Sequence, residues 1–189
     1  MARLTFDFPI NGELLMNPAS IDSPVLREIT NTGWVAITLS LRFEVWSTET
    51  TLRSEIRELG VIADEHDAHA RHWAVFCGDE VVAAARMCIH SNQEESPDAG
   101  AFTGICLPSP VATLNRLVVH PSARHLGLAS RLSACRVEAA KQDGARCVVG
   151  TPTRARISSL QKLGFQLTGA EWVPNYAESL ITHAMVLTF

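Results

Sequence analysis

The segment VATLNRLVVHPSARHLGLASRL, Val111 to Leu132, constrains this chain more than any other. Leu114 to Val119 is an apolar run that closes at Pro121, which has no N–H to give to a sheet ladder. Leu128, Leu132, Cys135 and Ala139 then recur at the spacing of one helix face, with Arg131, Glu138, Lys141 and Gln142 as polar positions around it. Asp143-Gly144 ends the pattern. Between strand and helix stand Arg124, His125, Leu126, Gly127, Leu128 and Ala129. A helix start carries unpartnered N–H groups and partial positive charge, and small residues there let a phosphate approach the backbone. The segment therefore predicts a strand–turn–helix unit with an anion site at its corner.

The rest of the chain predicts alternating helices and strands. Residues 1–33 read as an N-terminal extension broken by Asn11-Gly12, Pro18, Pro24 and Asn31-Thr32-Gly33, with one short strand at Leu4 to Phe8. Ile37, Leu41 and Val45 define a helix, and Leu52, Ile56 and Leu59 a second one that Gly60 stops. Trp73 to Phe76 and Val81 to Ile89 are strands joined at Gly78-Asp79, a hairpin signal. Residues 91–110, rich in Ser, Pro, Gly and acid, are a loop. A strand at Arg146 to Gly150, a short helix at Ile157 to Leu163 closed by Gly164, and strands at Phe165 to Thr168 and Ile181 to Phe189 complete the order. The spacing holds no internal repeat.

A chain of 189 residues with 47% hydrophobic residues fits one domain, residues 1–189, with a single core. Its net charge of −4 argues against a nucleic-acid partner. The acidic runs Asp64-Glu65 and Glu94-Glu95 are either solvated surface or an attraction for a cationic substrate. Five cysteines lack any Cys-x-x-Cys pair, and Cys77, Cys88, Cys135 and Cys147 fall in apolar patterns where a free thiol packs as a small hydrophobe. An odd count, no apolar leader and no membrane-length run predict a cytoplasmic protein without a membrane partner. A homodimer stays open.

The Arg124-to-Ala129 segment resembles the acyl-CoA-binding motif Arg/Gln-x-x-Gly-x-Gly/Ala of the GNAT N-acetyltransferase superfamily. Further likenesses run from about residue 35 to the end. They are Leu41-Arg42-Phe43-Glu44-Val45-Trp46 on the first helix, Asp64 to Arg86, Leu163-Gly164-Phe165, and His183-Ala184-Met185 on the last strand. The resemblance implies a mixed α/β fold: a central, mostly antiparallel sheet, parallel and splayed at strands four and five, flanked by helices. It implies an acetyl-CoA-dependent N-acetyltransferase acting on a primary amine of a small molecule. Two other readings stay open, a longer-chain acyltransferase of the acyl-homoserine-lactone synthase type and a non-catalytic acyl-CoA-binding module.

Carried over residue by residue, the family's pantetheine contacts fall on Leu117, Val118 and Val119, and its pyrophosphate cradle on Arg124, His125, Leu126, Gly127, Leu128, Ala129 and Ser130. The sequence departs from the family where many members carry a Tyr before Leu-Gly-Phe; here Leu160 stands in that helix, and Thr153-Arg154 replaces the frequent Asn at its head. The general acid is then sought at Tyr176, the only tyrosine, or at His183. Tyr176 is otherwise an exposed loop aromatic, and His183 otherwise a core residue. His66, His69 and His72, spaced by threes, read as a surface loop, so no metal is expected. Arg86 is either a solvated strand-end charge or an anchor for a substrate carboxylate. Trp34, Trp46, Trp73 and Trp172 read as core or pocket wall.

Overall fold

The computed structural model describes residues 23–189, so the strand expected at Leu4 to Phe8 lies outside the described residues. Seven strands form one sheet: β1 Val25–Ile29, β2 Arg71–Cys77, β3 Glu80–His90, β4 Val111–Val119, β5 Cys147–Gly150, β6 Gln166–Trp172 and β7 Thr182–Thr188. Their order across the sheet is β1-β2-β3-β4-β5-β7-β6. Every neighbouring pair is antiparallel except β4 and β5, which are parallel. Helices α1 Thr32–Glu49, α2 Ser54–Leu59, α3 Leu128–Gln142 and α4 Ile157–Gln161 complete the fold. This is the mixed α/β, mostly antiparallel architecture expected.

Two opposed faces of the sheet explain the patterning. On one, Leu128, Leu132, Val137, Ala139 and Ala140 of α3 pack over Ala83, Ala85, Met87, Ala112 and Leu114. On the other, Leu41 and Val45 of α1 pack over Ala84 and Val118. Because both faces are covered, β3 is buried from Val82 to Cys88, and its sequence shows a continuous small apolar run rather than an alternation.

Three details depart from the sequence reading. Val25–Ile29, inside the segment read as an extension, is a strand that pairs Val25 with Phe76 and Ile29 with His72. The buried stripe of α1 is Thr38, Leu41, Arg42 and Val45, whereas Ile37 is exposed. The helix is rotated because Arg42 turns inward to an aspartate. In α2 no residue is buried and Leu59 is 70% exposed. Of the expected stripe Ile56 is half-buried and Leu59 exposed, and Leu52, ahead of the helix, is the buried member through its bridge to Ala177.

Candidate active site

The parallel pair β4–β5 creates the site by separating. Its register runs only from Val111 opposite Cys147 to Thr113 opposite Val149. At the end of β5, a Cβ on Gly150 would lie 3.2 Å from the Leu114 carbonyl oxygen, so glycine is what allows the last close approach. Beyond it β4 continues to Val119 without a strand on that side. Over the same stretch β4 bulges: Asn115 pairs with Arg86 and Val118 with Ala84, leaving Arg116 and Leu117 opposite Ala85 alone. Arg116 takes φ 52°, a left-handed conformation uncommon for a side chain of this size. Such strain concentrates at functional sites.

The resulting cleft has a volume of about 700 Å³. Its walls are the C-terminal turns of α1 (Val45, Trp46, Glu49), the bulged half of β4, the start of α3, and loops carrying Pro97-Asp98, Gly150 to Thr153 and Pro174 to Thr182. Of the residues singled out in the sequence, Leu117, Val118, Val119, Arg124, His125, Gly127, Leu128, Ala129 and Ser130 all line it. Leu126 does not; it is exposed on the outside of the turn. Gly127 is the residue that caps α3, at φ 72°, and a Cβ built on it meets no atom within 4 Å. Among the described residues the space in front of the helix start is open. Arg124 bonds both the Glu49 carboxylate and the Val119 carbonyl, so its guanidinium bridges α1 and β4 at the edge of the cleft.

Tyr176 also lines the cleft. Its ring stacks on Trp46 with centroids 4.8 Å apart, and the Arg116 guanidinium carbon lies 4.8 Å from the ring centroid. Burial pushes the phenol up to about 12 against the pull of Arg116, so it stays a protonated donor at neutral pH. Asp98, also in the cleft, is raised by burial above the ordinary carboxylate range, again against Arg116, and accepts a 3.3 Å hydrogen bond from the Thr151 hydroxyl. His183 is elsewhere. It faces Glu171 across β6–β7, with Nδ1 3.8 Å from the carboxylate, while its neighbour Thr182 lines the cleft.

Behind the bulge lies a buried charge cluster. Arg86 donates to Asn115 Oδ1 at 2.9 Å and to Asp64 Oδ2 at 3.0 Å, and lies 3.0 Å from Asp67. Arg42 pairs with Asp67 at 2.8 Å and Arg116 with Asp64 at 2.7 Å. Arg86 is therefore neither solvated nor available to a substrate carboxylate, and Asp64 is not a solvated acidic run. Burial alone would raise both aspartates, but the arginines outweigh it and hold both below their usual range. Arg136 of α3 donates to the carbonyls of Leu132, Arg86 and Asn115, tying the helix to both sides of the bulge. Among the described residues it has no carboxylate partner, and burial draws it down to about 9. Trp73 is core and Trp46 cleft wall, but Trp34, expected as core or pocket wall, is exposed and touches Phe76 edge to face. Trp172 packs against Gly100.

The separating parallel pair and the glycine-capped helix start are features that the sequence resemblance implies. The family model described as "Acetyltransferase (GNAT) family" matches residues 33–165. The chain belongs to the GNAT acetyltransferase family. Similar solved structures agree on the fold. A GNAT-family acetyltransferase from Streptococcus pneumoniae is 17% identical, covering 88% of this chain and 99% of that one, with a TM-score of 0.63. An N-acyl amino acid synthase from uncultured soil microbes is 14% identical, covering 88% and 90%, with a TM-score of 0.61. A Bacillus subtilis acetyltransferase in complex with CoA is 16% identical, covering 88% and 97%, with a TM-score of 0.53. No sequence among the curated proteins matches the chain. Among the described residues, no helix is long and apolar enough to cross a membrane.

Sequence reasoning missed Asp98, Arg116 and Arg136. Asp98 sits in a loop whose position no periodicity reveals. Arg136 did leave a signal, a cation four residues after Leu132 and next to Val137 on the buried side of α3.

Proposed function

We propose that the protein transfers the acetyl group of acetyl-CoA to a primary amine of a small molecule. The observation that carries this reading is the unpaired, bulged half of β4 opening onto the glycine-capped start of α3. The residues fit the donor: Leu117 to Val119 offer backbone groups along the cleft, and the turn offers the His125 to Ala129 N–H groups and open space for the pyrophosphate, while the Arg124 and Ser130 N–H groups are held by the Pro121 and Gly127 carbonyls. Arg124 exchanges Glu49 for a phosphate oxygen.

Holding donor and amine together in the cleft removes much of the entropic barrier. A primary amine with a solution pKa near ~10 must lose a proton before its nitrogen attacks the thioester carbonyl. Asp98, a carboxylate made more basic by burial, takes that proton directly or through water. As the C–N bond forms and the C–S bond breaks, the thiolate leaves and Tyr176 supplies the proton it needs. Arg116, over the Tyr176 ring, lowers the cost of the transient phenolate.

One observation favours a longer acyl chain as a second reading. Leu160 and Leu180 line the cleft, with Leu160 in the helix where a Tyr was sought, which extends its apolar wall. CoA thiol release, followed with a panel of amines and with donors of increasing chain length, tests both. Turnover with acetyl-CoA supports the proposal; turnover confined to longer donors overturns it in favour of the second reading. Binding without turnover on any amine leaves a non-catalytic module.

A further inference from the structure

The strand that carries Arg86 into the buried charge cluster carries two metal-ligand side chains farther along the same face. Cys88 and His90 follow Arg86 at intervals of two residues, so all three point to one side of β3. His66 comes from a different part of the chain, the one-turn 3-10 segment Glu65–Ala68. That turn is fixed from both ends. Asp64 caps its start and pairs with Arg86 and Arg116, while Asp67 pairs with Arg42 and Arg86. The ligating atoms of His66, Cys88 and His90 lie within 4.8 Å of one another, and the two imidazoles meet edge to face with centroids 5.4 Å apart.

A second observation points to a ligand. His90 is 5% exposed, and its Nε2 is buried without a hydrogen-bond partner. Buried polar atoms rarely go unpaired, and one beside a second imidazole and a thiol invites a metal ion. Cys88 is 7% exposed, so the site is closed on the sheet side, while His66 is half-buried and leaves a solvent approach.

We propose that His66, Cys88 and His90 form a zinc site with an open fourth position for water. Two imidazole nitrogens and one thiolate are the borderline-soft donors that Zn²⁺ prefers, and three protein ligands are enough to hold it. Bonds of about 2.0–2.3 Å place tetrahedral ligand atoms roughly 3.3–3.8 Å apart, so the site closes by about an ångström around the ion. His66, on the exposed side, is the side chain free to make that movement. Zinc binds the thiolate rather than the thiol, so the Cys88 proton leaves as the site loads. The ion joins the 65–68 turn to β3. Through Asp64 it positions Arg116 at the bulge, and it touches no group that acts on the substrates.

The full-length protein, stripped with a chelator and dialysed, is titrated with Zn²⁺ against a chromophoric competitor. One equivalent is expected to bind with submicromolar affinity. His66→Ala and Cys88→Ser each lower that affinity by at least about a hundredfold, while Cys106→Ser, which alters the exposed thiol, leaves it unchanged. Co²⁺ used in place of zinc gives a thiolate-to-metal charge-transfer band that disappears in Cys88→Ser and persists in Cys106→Ser. Circular dichroism checks each fold, and His66→Ala, at the half-exposed ligand, keeps the test decisive if a β3 variant unfolds. Weak, multiple-site binding in the wild type overturns the proposal. So does wild-type affinity in a folded His66→Ala or Cys88→Ser.

Discussion

In the proposed mechanism three single residues matter most, and each has a distinct signature. Gly127 adopts φ 72° with nothing in front of it, so alanine there tests backbone strain alone, at about 1 kcal/mol. Gly127→Glu adds bulk and negative charge at the phosphate position. It is expected to abolish acetyl-CoA binding by calorimetry while circular dichroism stays native; wild-type affinity in the folded variant makes the motif mere packing. Tyr176→Phe is expected to lower turnover by about two orders of magnitude with acetyl-CoA affinity unchanged. An unaltered turnover number removes Tyr176 from the mechanism and leaves water as the donor, since His183 lies outside the cleft. In that mechanism Asp98 is the base in its carboxylate form, and its folded pKa is raised, so activity is expected to fall as pH drops through a value above the free-carboxylate value of about 3.9. Asp98→Asn is expected to flatten that acidic limb and cost about 10²–10⁴ in kcat/KM; a limb that persists assigns it to another group.

At the scale of elements, the sequence was most legible where pattern and packing agree. α3 begins at Leu128 and ends at Gln142 as its stripe and Asp143-Gly144 foretold, and β2 and β3 turn at Gly78-Asp79. β1 is illegible because Val25-Leu26-Arg27-Glu28-Ile29 has no apolar–polar alternation, and only long-range pairing to β2 reveals it. The face of α1 was misread because Thr38 and Arg42 are polar yet buried. The bulge left no trace, since Asn115-Arg116 reads like any strand interruption. The charge cluster behind it is equally hidden: Asp64 and Arg86 read as solvated charge or as substrate contacts, because nothing in the spacing brings them together. Removing one member leaves its partners buried and uncompensated. Asp67→Ala, which strands Arg42 and its already unpartnered Nε and Nη2, is expected to destabilise by about 3–5 kcal/mol in urea unfolding. A loss under 1 kcal/mol means that water reaches Arg42 and the cluster is not a closed unit.

At the scale of the whole molecule, the cleft is where distant parts of the chain meet. α1 contributes Glu49, β4 the bulge, α3 its first turn, and the 174–182 loop Tyr176, itself anchored to residues 51–53 by main-chain hydrogen bonds from Arg53 to Tyr176 and from Glu178 to Thr51. A donor seated there contacts elements on both sides of the sheet and binds only when all are folded. Its binding energy therefore adds to global stability. Acetyl-CoA at a hundred times its Kd is expected to add about 2.7 kcal/mol, raising Tm by about 5–10 °C for a domain of this size, with 1:1 stoichiometry by calorimetry. The shift should grow with the logarithm of ligand concentration and vanish in Gly127→Glu. CoA without an acyl group should produce most of it, because the cradle and the unpaired half of β4 recognise the pyrophosphate and pantetheine rather than the acyl group. An equal shift in Gly127→Glu would place the ligand away from α3, and no shift at millimolar acetyl-CoA would end the acyl-CoA reading altogether.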